Sequence, residues 1–532
     1  MECKPDYLSY EQTGYFSKII TDYLKGEEKL KSFYAHPVSL DGIRSAIAER
    51  KKHTTNRKLL VDVLQQQYAQ EKISDKQQLN IQQLSNVNCF TVTTAHQPNI
   101  FTGHLYFIYK ILHAVKLAEQ LKKELPENDF VPVFYMGSED ADLDELGHIY
   151  LFGEKYEWKT KQTGAVGRMK VDKTLVKLIE QFSGQLTVYP FGEALINLMK
   201  ACYKVGSTIE QATFKLINEL FGEYGLIILL PDNAALKKAF IPVVEKELIS
   251  GFSHKAVEET AAKFPKEYKV QAAGRELNLF YLHEDLRERI VQENSKYKIQ
   301  NSKYEFDDAS VKKELLVHPE RFSPNVILRP VYQEMILPNI AFIGGGGEVA
   351  YWLELKKVFE DVLVPFPVLV LRNSFMIVEK ENTTLLNKLG FTANDLFRSE
   401  SDLLYDLVKR ETTARLTLDK EKNALKEFYQ QLRSTAGVVD STLQRHTEAL
   451  QAQALKKIEG LEKKILRAEK KKFEAQQRQL HKLKIKLFPG NGLQERIENF
   501  MPIYAKWGKN IIEMVYENSL GLEQEFCIME LH

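Results

Sequence analysis

Apolar and polar positions along this chain change period several times, and each change marks an element. From Cys89 to Thr94 the run is short, apolar and β-branched, the pattern of a strand buried on both faces. His96 to Gly103 then reads as a loop, with Pro98 and Gly103 as breakers. From His104 onward, Leu105, Ile108, Leu112, Val115 and Leu117 recur at helical spacing until Leu121. Val131 to Met136 is a second buried run, closing on Gly137-Ser138-Glu139-Asp140. The spacing predicts a βαβ unit, and such units present reactive groups at the carboxyl ends of strands. Polar residues stand at both ends: His96, Gln97, Gly103 and His104 after the first strand, Ser138, Glu139 and Asp140 after the second.

The rest of the chain is arranged around that unit. Residues 1–88 read as a helical cover, broken at Pro37 and at Thr54-Thr55-Asn56. The first part of the core covers 89–250. Within it, 149–185 mixes short strands and turns, helices follow near 191–203 and 207–222, and Leu226 to Leu230 is a buried strand. Residues 251–325 break the βα rhythm and form an inserted or connecting lobe, with strand-like runs at Leu277–Leu282 and Arg289–Tyr297. The core resumes over 326–399. Val326 to Pro330 reads as a strand end, Ile340 to Ile343 as a strand running into Gly344-Gly345-Gly346-Gly347, and Phe366 to Leu371 as the last strand. The expected fold class is α/β, with a Rossmann-like doubly wound core.

From 400 to 487 Lys, Glu, Gln and Leu dominate. Ile458, Leu461, Ile465 and Ala468 fit heptad positions, and Gly437-Val438-Val439 marks a turn, so two long helices are expected to form an antiparallel coiled-coil arm. Lys470-Lys471-Lys472 reads as a solvated face. Residues 488–532 are a tail returning to the core.

Composition narrows the function. The 532 residues are 44% hydrophobic and 27% charged, with a net charge of +1, which argues against a dedicated nucleic-acid binder. No apolar run is long enough to span a bilayer, and the polar stretch Met1 to Asp6 carries no signal core. The 4 cysteines are scattered, without metal-type or redox-type pairs. A cytoplasmic protein with reduced thiols is the expectation.

Three loops carry the candidate chemistry. Phe101-Thr102-Gly103-His104 is half of a His-x-Gly-His nucleotidyltransferase signature, in which histidines stabilise charge on a transferred phosphate. The alternative is that His104 only caps or packs. Gly344 to Gly347 before Glu348 suits an anion, or tight strand-to-helix packing. Glu139, Asp140 and Asp142 suit a general base or Mg2+ ligands, or the cap of the next helix. All three loops are expected to converge on one crevice.

Taken together, the segments resemble a known family. Phe-Thr-Gly-His-Leu-Tyr-Phe-Ile-Tyr-Lys-Ile from 101, Ser138-Glu139-Asp140 with Gly147-His148-Ile149-Tyr150-Leu151, Arg329-Pro330 with Leu337-Pro338, the glycine run through Tyr351-Trp352, the charged helices and Leu493-Gln494-Glu495-Arg496 resemble BshC in order and over nearly the whole chain. BshC is a family of cysteine-adding enzymes of bacillithiol biosynthesis. The resemblance implies a Rossmann-type core with connecting lobes, a coiled-coil arm and a homodimer. It implies joining the carboxyl of L-cysteine to the amine of glucosaminyl-malate. Departures fall at His104, where members often have Pro, at Ala141, where His is common, and at Gly346, where Pro is frequent and added flexibility is expected.

A free carboxylate is a poor electrophile, so amide formation calls for activation, and ATP or ADP with Mg2+ is the expected cofactor set. His96, Gln97, Gly103, Gly344, Gly345, Gly346, Gly347 and Arg329 are assigned to nucleotide or anion binding. Glu139 and Asp140 are assigned as base or Mg2+ ligands, with His104 and Lys110 completing the catalytic set and Lys110 or Arg329 neutralising charge. A nucleotidyltransferase acting on another small molecule and a non-catalytic coiled-coil assembly protein are the competing readings.

Overall fold

A computed structural model describes residues 3–272 and 274–532; Met1 and Glu2 of the polar N-terminal stretch, and Ala273 of the lobe, lie outside the described residues. The chain divides into two compact units. One is Pro5–Met376 with Gly492–Cys527; the other is Ile377–Asn491 with a few residues from each chain end.

The first unit is built on five parallel strands: β1 (Cys89–His96), β2 (Asp129–Met136), β3 (Ile227–Leu229), β4 (Asn339–Gly344) and β5 (Val368–Leu371). Their spatial order is β3-β2-β1-β4-β5, so the chain moves outward from β1 to β3 and then restarts on the other side of β1. Strands buried on both faces need apolar residues throughout, and β4 and β5 are buried at every position. Pro132 cannot donate to a ladder, yet it sits inside β2; the short β3 pairs only with Val133 to Tyr135, so no partner is lost there.

Four helices position the site: α1 (Leu40–Arg50), α2 (Tyr106–Glu124), α3 (Arg329–Ile336) and α4 (Gly346–Trp352). Phe90 and Val92 of β1, with Ile340 and Ile343 of β4, pack against Leu117 and Leu121 of α2 and Ile43 and Ile47 of α1. Each such side chain contributes about 1.5–3 kcal/mol by leaving water. A buried polar chain pins the amino end of β4. Arg50 meets Glu334 at 2.6 Å, Asn339 donates to Glu334 at 2.7 Å, and Thr93 donates to Asn339 at 2.8 Å. Burial pushes the Glu334 carboxyl up and the Arg50 guanidinium down, so each needs the other.

Several expectations are corrected. Val326 to Pro330 is not a strand end: the Asn325 side chain accepts from Ile327 N–H at 2.8 Å to make a turn, and Pro330 sits in the first turn of α3. The strand lies just before, at Phe322–Pro324, as the edge of an antiparallel lobe sheet with Leu279–His283, Leu286–Glu293, Lys296–Ile299 and Glu305–Phe306. Residues 149–185 include a helix, Lys173–Leu186, capped by Asp172 and burying Leu175, Ile179 and Phe182. Gly164 to Val171 holds a short helical turn, Val166–Arg168, and an isolated antiparallel bridge from Lys170 to Thr208 rather than a strand. The N-terminal segment begins with a strand, Cys3–Ser9, before its helices.

The second unit is helical and starts at Ile377, earlier than the shift in composition near 400, with helix Lys380–Leu389 among its elements. Its long helices, Asp419–Val439 and Thr442–Lys471, are separated at Asp440 rather than at Gly437. Lys422 pairs with Glu462 at 3.1 Å and Arg433 with Glu448 at 2.9 Å, pairs that step in opposite directions along the two helices. No helix of the described residues is long and apolar enough to cross a membrane.

Breaking a buried pair leaves an uncompensated charge, so Arg50→Ala is expected to lower the free energy of urea unfolding by about 3–5 kcal/mol. Arg50→Met with Glu334→Met, which removes both charges, is expected to recover most of that loss. A single variant within 1 kcal/mol of the parent would mean that Glu334 is solvated.

Candidate active site

A cleft of about 620 Å³ opens at the carboxyl ends of the strands, where their order reverses between β1 and β4. Its floor comes from Ala95 to Gln97 after β1, Gly137 and Asp140 after β2, Gly345 to Glu348 after β4 and Arg372 after β5. The lobe contributes Phe280, Arg287 and Arg289, and Arg496 reaches it from the C-terminal stretch. The structure thus brings His96, Gln97, Asp140, Arg329, Gly345, Gly346 and Gly347 together.

His96 ends β1, where its ring lies 5.5 Å from that of Tyr106 and its Nε2 is 3.4 Å from the Tyr106 hydroxyl. Burial, with Lys110 and His104 nearby, holds its imidazole well below the ordinary range, so it is neutral at neutral pH. Gln97 donates to Asp140 Oδ2 at 3.3 Å. Arg329, the first residue of α3, stands 3.7 Å from the same carboxylate. Burial raises the Asp140 carboxyl, but Arg329 and Arg287 more than offset this and hold it below its usual value. Asp140 is therefore a fixed anion and a weak base.

Gly345 has an ordinary backbone angle, φ −69°, and its N–H donates to Glu348 Oε2 at 2.7 Å. A Cβ there would meet Glu348 Oε2 at 3.3 Å and Arg372 Nε at 3.8 Å. At Gly346 and Gly347 an added Cβ would meet neighbours only at 3.4 and 4.0 Å. Backbone strain demands none of these three glycines, and only Gly345 is crowded, by the Glu348 carboxylate, so their shared effect is to keep the cleft wall bare.

Other expected site residues lie away from the cleft. Glu139 is buried against Lys237, which also meets Asp232 at 3.4 Å, while Arg168 holds Asp232 at 2.7 Å. Glu210 joins this group; burial and Asp232 push its carboxyl up to about 7. Asp142 caps Leu143–Leu146 by accepting from Glu145 N–H. The acidic run thus points three ways, because neighbouring residues leaving a strand face different sides.

Gly103 takes φ +66°, and a Cβ would sit 2.8 Å from that of Asn99, so the turn itself requires glycine. Phe101 and Thr102 beside it also have positive φ, and Asn499 donates to the carbonyls of Phe101 and Gly103. His104 is set behind Tyr106, its Nδ1 3.1 Å from the Ile497 carbonyl. Gly344 ends β4, where a Cβ would meet the Phe342 ring at 2.9 Å. Lys110 is 2% exposed and does not line the cleft. Its ammonium donates to the Ala95 carbonyl at 2.5 Å and to Glu348 Oε2 at 2.7 Å, so it positions Glu348 from below.

Of the arginines, sequence reasoning assigned only Arg329 to the site. Six line the cleft (275, 287, 289, 329, 372 and 496) against three carboxylates, Asp140, Glu145 and Glu348. Arg372 directly follows a buried strand, and Arg287 and Arg289 share one face of a strand, signals that strand-end and period-two reasoning could have used. Such a lining suits phosphate or carboxylate groups. Two of its three carboxylates already face cations, Asp140 meeting Arg329 and Glu348 meeting Lys110, while Glu145 has no ion pair among the described residues. The residues therefore fit the anionic part of a nucleotide, whereas a divalent ion would depend on oxygens brought by the ligand.

Replacing Lys110 by Met removes the only ion-pair partner of Glu348 among the described residues. Because Glu348 is 27% exposed toward the cleft, the expected loss is about 2–3 kcal/mol in urea unfolding, below that of a fully buried pair. Lys110→Met with Glu348→Gln is expected to restore most of it. Additive losses would show that the two do not interact.

Comparison with known proteins agrees with this architecture. Residues 1–373 match the family description "Bacillithiol biosynthesis BshC, N-terminal Rossmann-like domain", and residues 375–531 match "Bacillithiol biosynthesis BshC, C-terminal coiled-coil domain". A Flavobacterium psychrophilum protein named "Putative cysteine ligase BshC" is 40% identical over 528 residues, 99% of each chain. Proteins of the same name from Flavobacterium johnsoniae and Chlorobaculum tepidum are 38% and 30% identical, covering 99% and 93% of each chain. A Rossmann-like sheet with its cleft at the reversal, followed by a helical unit, is thus matched along nearly its whole length, and the chain belongs to the BshC family of bacillithiol biosynthesis.

Proposed function

We propose that this chain is a ligase that joins the carboxyl of L-cysteine to the amine of glucosaminyl-malate, making the amide of bacillithiol in the last step of its biosynthesis. The observation that carries the reading is the mixed-charge end of the cleft, where Asp140 stands beside Arg329 and Arg287. Glucosaminyl-malate carries an ammonium and carboxylates, and a fixed carboxylate among guanidinium groups complements both. The relatives' name as cysteine ligases supports the same chemistry. The nucleotidyltransferase reading loses its support because His104 stands behind Tyr106 rather than in the cleft.

Asp140 orients the incoming ammonium rather than taking its proton, because its carboxyl is held low. The neutral imidazole of His96 lines the same cleft and can accept a hydrogen bond from that ammonium. ATP or ADP, with Mg2+ carried on its phosphates, is the proposed cofactor; the bare wall Gly345–Gly347 and Arg372 would hold its phosphates. When bound, it supplies the activation that a free carboxylate lacks. Glu139, buried on Lys237, supports the loop from below. The reaction has small-molecule partners and is placed in the cytoplasm.

We also propose a homodimer to which the helical arm contributes. Phe428 and Leu432 are exposed on Asp419–Val439, and Leu450 and Leu461 on its neighbour, an apolar surface for a surface helix pair to leave in water.

Purified protein with L-cysteine, glucosaminyl-malate, ATP and Mg2+ is expected to form bacillithiol, detected by mass. Asp140→Asn is expected to lower turnover by about a hundredfold, with a raised KM for the acceptor and an unshifted pH profile. Glu139→Gln is expected to lower stability instead. Near-parental product formation by both variants would place the site elsewhere.

For the arm, the Thr412 hydroxyl donates to Glu469 at 2.6 Å, so residues 419–471 can be replaced by a short linker between ends that already lie together. Light scattering is expected to report a smaller assembly. An unchanged dimer mass would locate the contact on another surface.

A further inference from the structure

Two arginine pairs line the cleft, and in each one member has no counter-charge of its own among the described residues. Arg287, from the lobe strand Leu286–Glu293, lies flat on the Phe280 ring with its guanidinium carbon 3.8 Å from the centroid. Among the described residues no carboxylate forms an ion pair with it, and its Nε is buried without a hydrogen-bond partner. Burial and the like charge of Arg329 push its guanidinium down to about 10. Across the cleft, Arg496 has no ion pair among the described residues, and burial together with neighbouring Arg372 lowers it as well. Arg372 spends both Nη atoms on Asn373, Ser374 and Glu495, which leaves its Nε edge beside the bare Gly345 wall.

Like charges held together without an anion between them cost free energy that a bound anion recovers. Arg329 reaches Gly137, just after β2, and Arg372 follows β5; these strands lie three strand spacings apart, roughly 14 Å at about 4.8 Å per spacing. One small anion cannot bridge that span, while a cleft of about 620 Å³ has room for two ligands.

We propose that the cleft binds two anionic groups at once: Arg287 with Arg329 reads the carboxylates of the acceptor, and Arg372 with Arg496 holds the phosphate that accompanies the cysteine donor. The inference rests on the ligase reading and adds a division of the site to it. The acceptor belongs at the Arg287 end because Asp140 stands there to meet its ammonium. The phosphate belongs at the other end because there three successive glycines, Gly345 to Gly347, let a tetrahedral group approach the Arg372 Nε edge. The planar fork of Arg287, fixed on Phe280, matches a carboxylate bidentately.

The test is calorimetric binding to the full chain, with L-malate as the probe for one end and inorganic pyrophosphate for the other. Each probe is expected to keep its Kd within twofold when the other is saturating. Arg287→Gln is expected to weaken malate tenfold or more and leave pyrophosphate within twofold; Arg496→Gln is expected to do the reverse. Both variants remove an unpaired charge, so neither should lower the melting temperature, and Arg287→Lys is expected to recover part of the malate affinity. Mutually exclusive probes, equal effects of both variants on both probes, or no binding of either would overturn the division. Product formation is measured separately. Bacillithiol made by a chain whose probes compete keeps the ligase and loses the two ends, whereas independent probe binding without product keeps the two ends and loses the ligase.

Discussion

The reversal of the sheet is held by one buried ammonium. Lys110, rising from α2, donates to the Ala95 carbonyl near the end of β1 and to Glu348 at the start of α4. Glu348 in turn accepts from Gly345 N–H, the first turn after β4. Strands β1 and β4 are neighbours in space but lie far apart in the chain, and the crevice between their ends exists because the chain leaves them in opposite directions. Without a tie, the glycine turn would have few side chains to hold it. A charge buried at this depth must be paired. Burial lowers the Lys110 ammonium, and the Glu348 carboxylate restores part of the balance. The geometry of the cleft floor follows from that single contact.

The roof has the opposite electrostatic character. Where Lys110 is satisfied, Arg287 and Arg496 are not, and both sit beside another guanidinium. The chain as a whole is nearly neutral, at +1, so this concentration of positive charge is local. Local charge in a cleft focuses the field on a ligand and leaves net charge unchanged. A composition that argues against a nucleic-acid binder is therefore compatible with a strongly anion-seeking site.

How much was legible follows from which interactions are local. Buried runs such as Ile340–Ile343 and Phe366–Leu371 announced their strands, because a parallel sheet covered on both faces leaves no polar alternative. The loops after them were legible for the same reason, and His96, Gln97, Asp140 and Gly345–Gly347 do meet. The failures are non-local. Glu139 and Asp140 are adjacent in sequence, and only the fold shows that Lys237 claims one while Arg329 faces the other. Val326 to Leu328 looks like a strand by composition, yet the Asn325 side chain bends it into a turn. Arg287 and Arg496 are separated by more of the chain than any window of periodicity covers, so their meeting in one cleft is visible only in the fold.

The departures from the family pattern have structural reasons of the same kind. Gly346 occupies the first helical position of α4, where proline needs no N–H partner and already has the required φ. A proline at that position and the glycine here are therefore alternative ways to start one helix, and the expected loop flexibility is not needed to explain such an exchange. At position 104 the ring is turned to the Ile497 carbonyl, behind Tyr106, so a proline in its place would remove no group from the cleft. Ala141 follows Asp140 in the loop, and the cleft lining passes from Asp140 to Glu145 without it. These three positions thus supply no charged group to the cleft, while its charged groups come from Asp140, Arg329, Arg287, Arg372 and Arg496, which is where a change of residue would alter what binds.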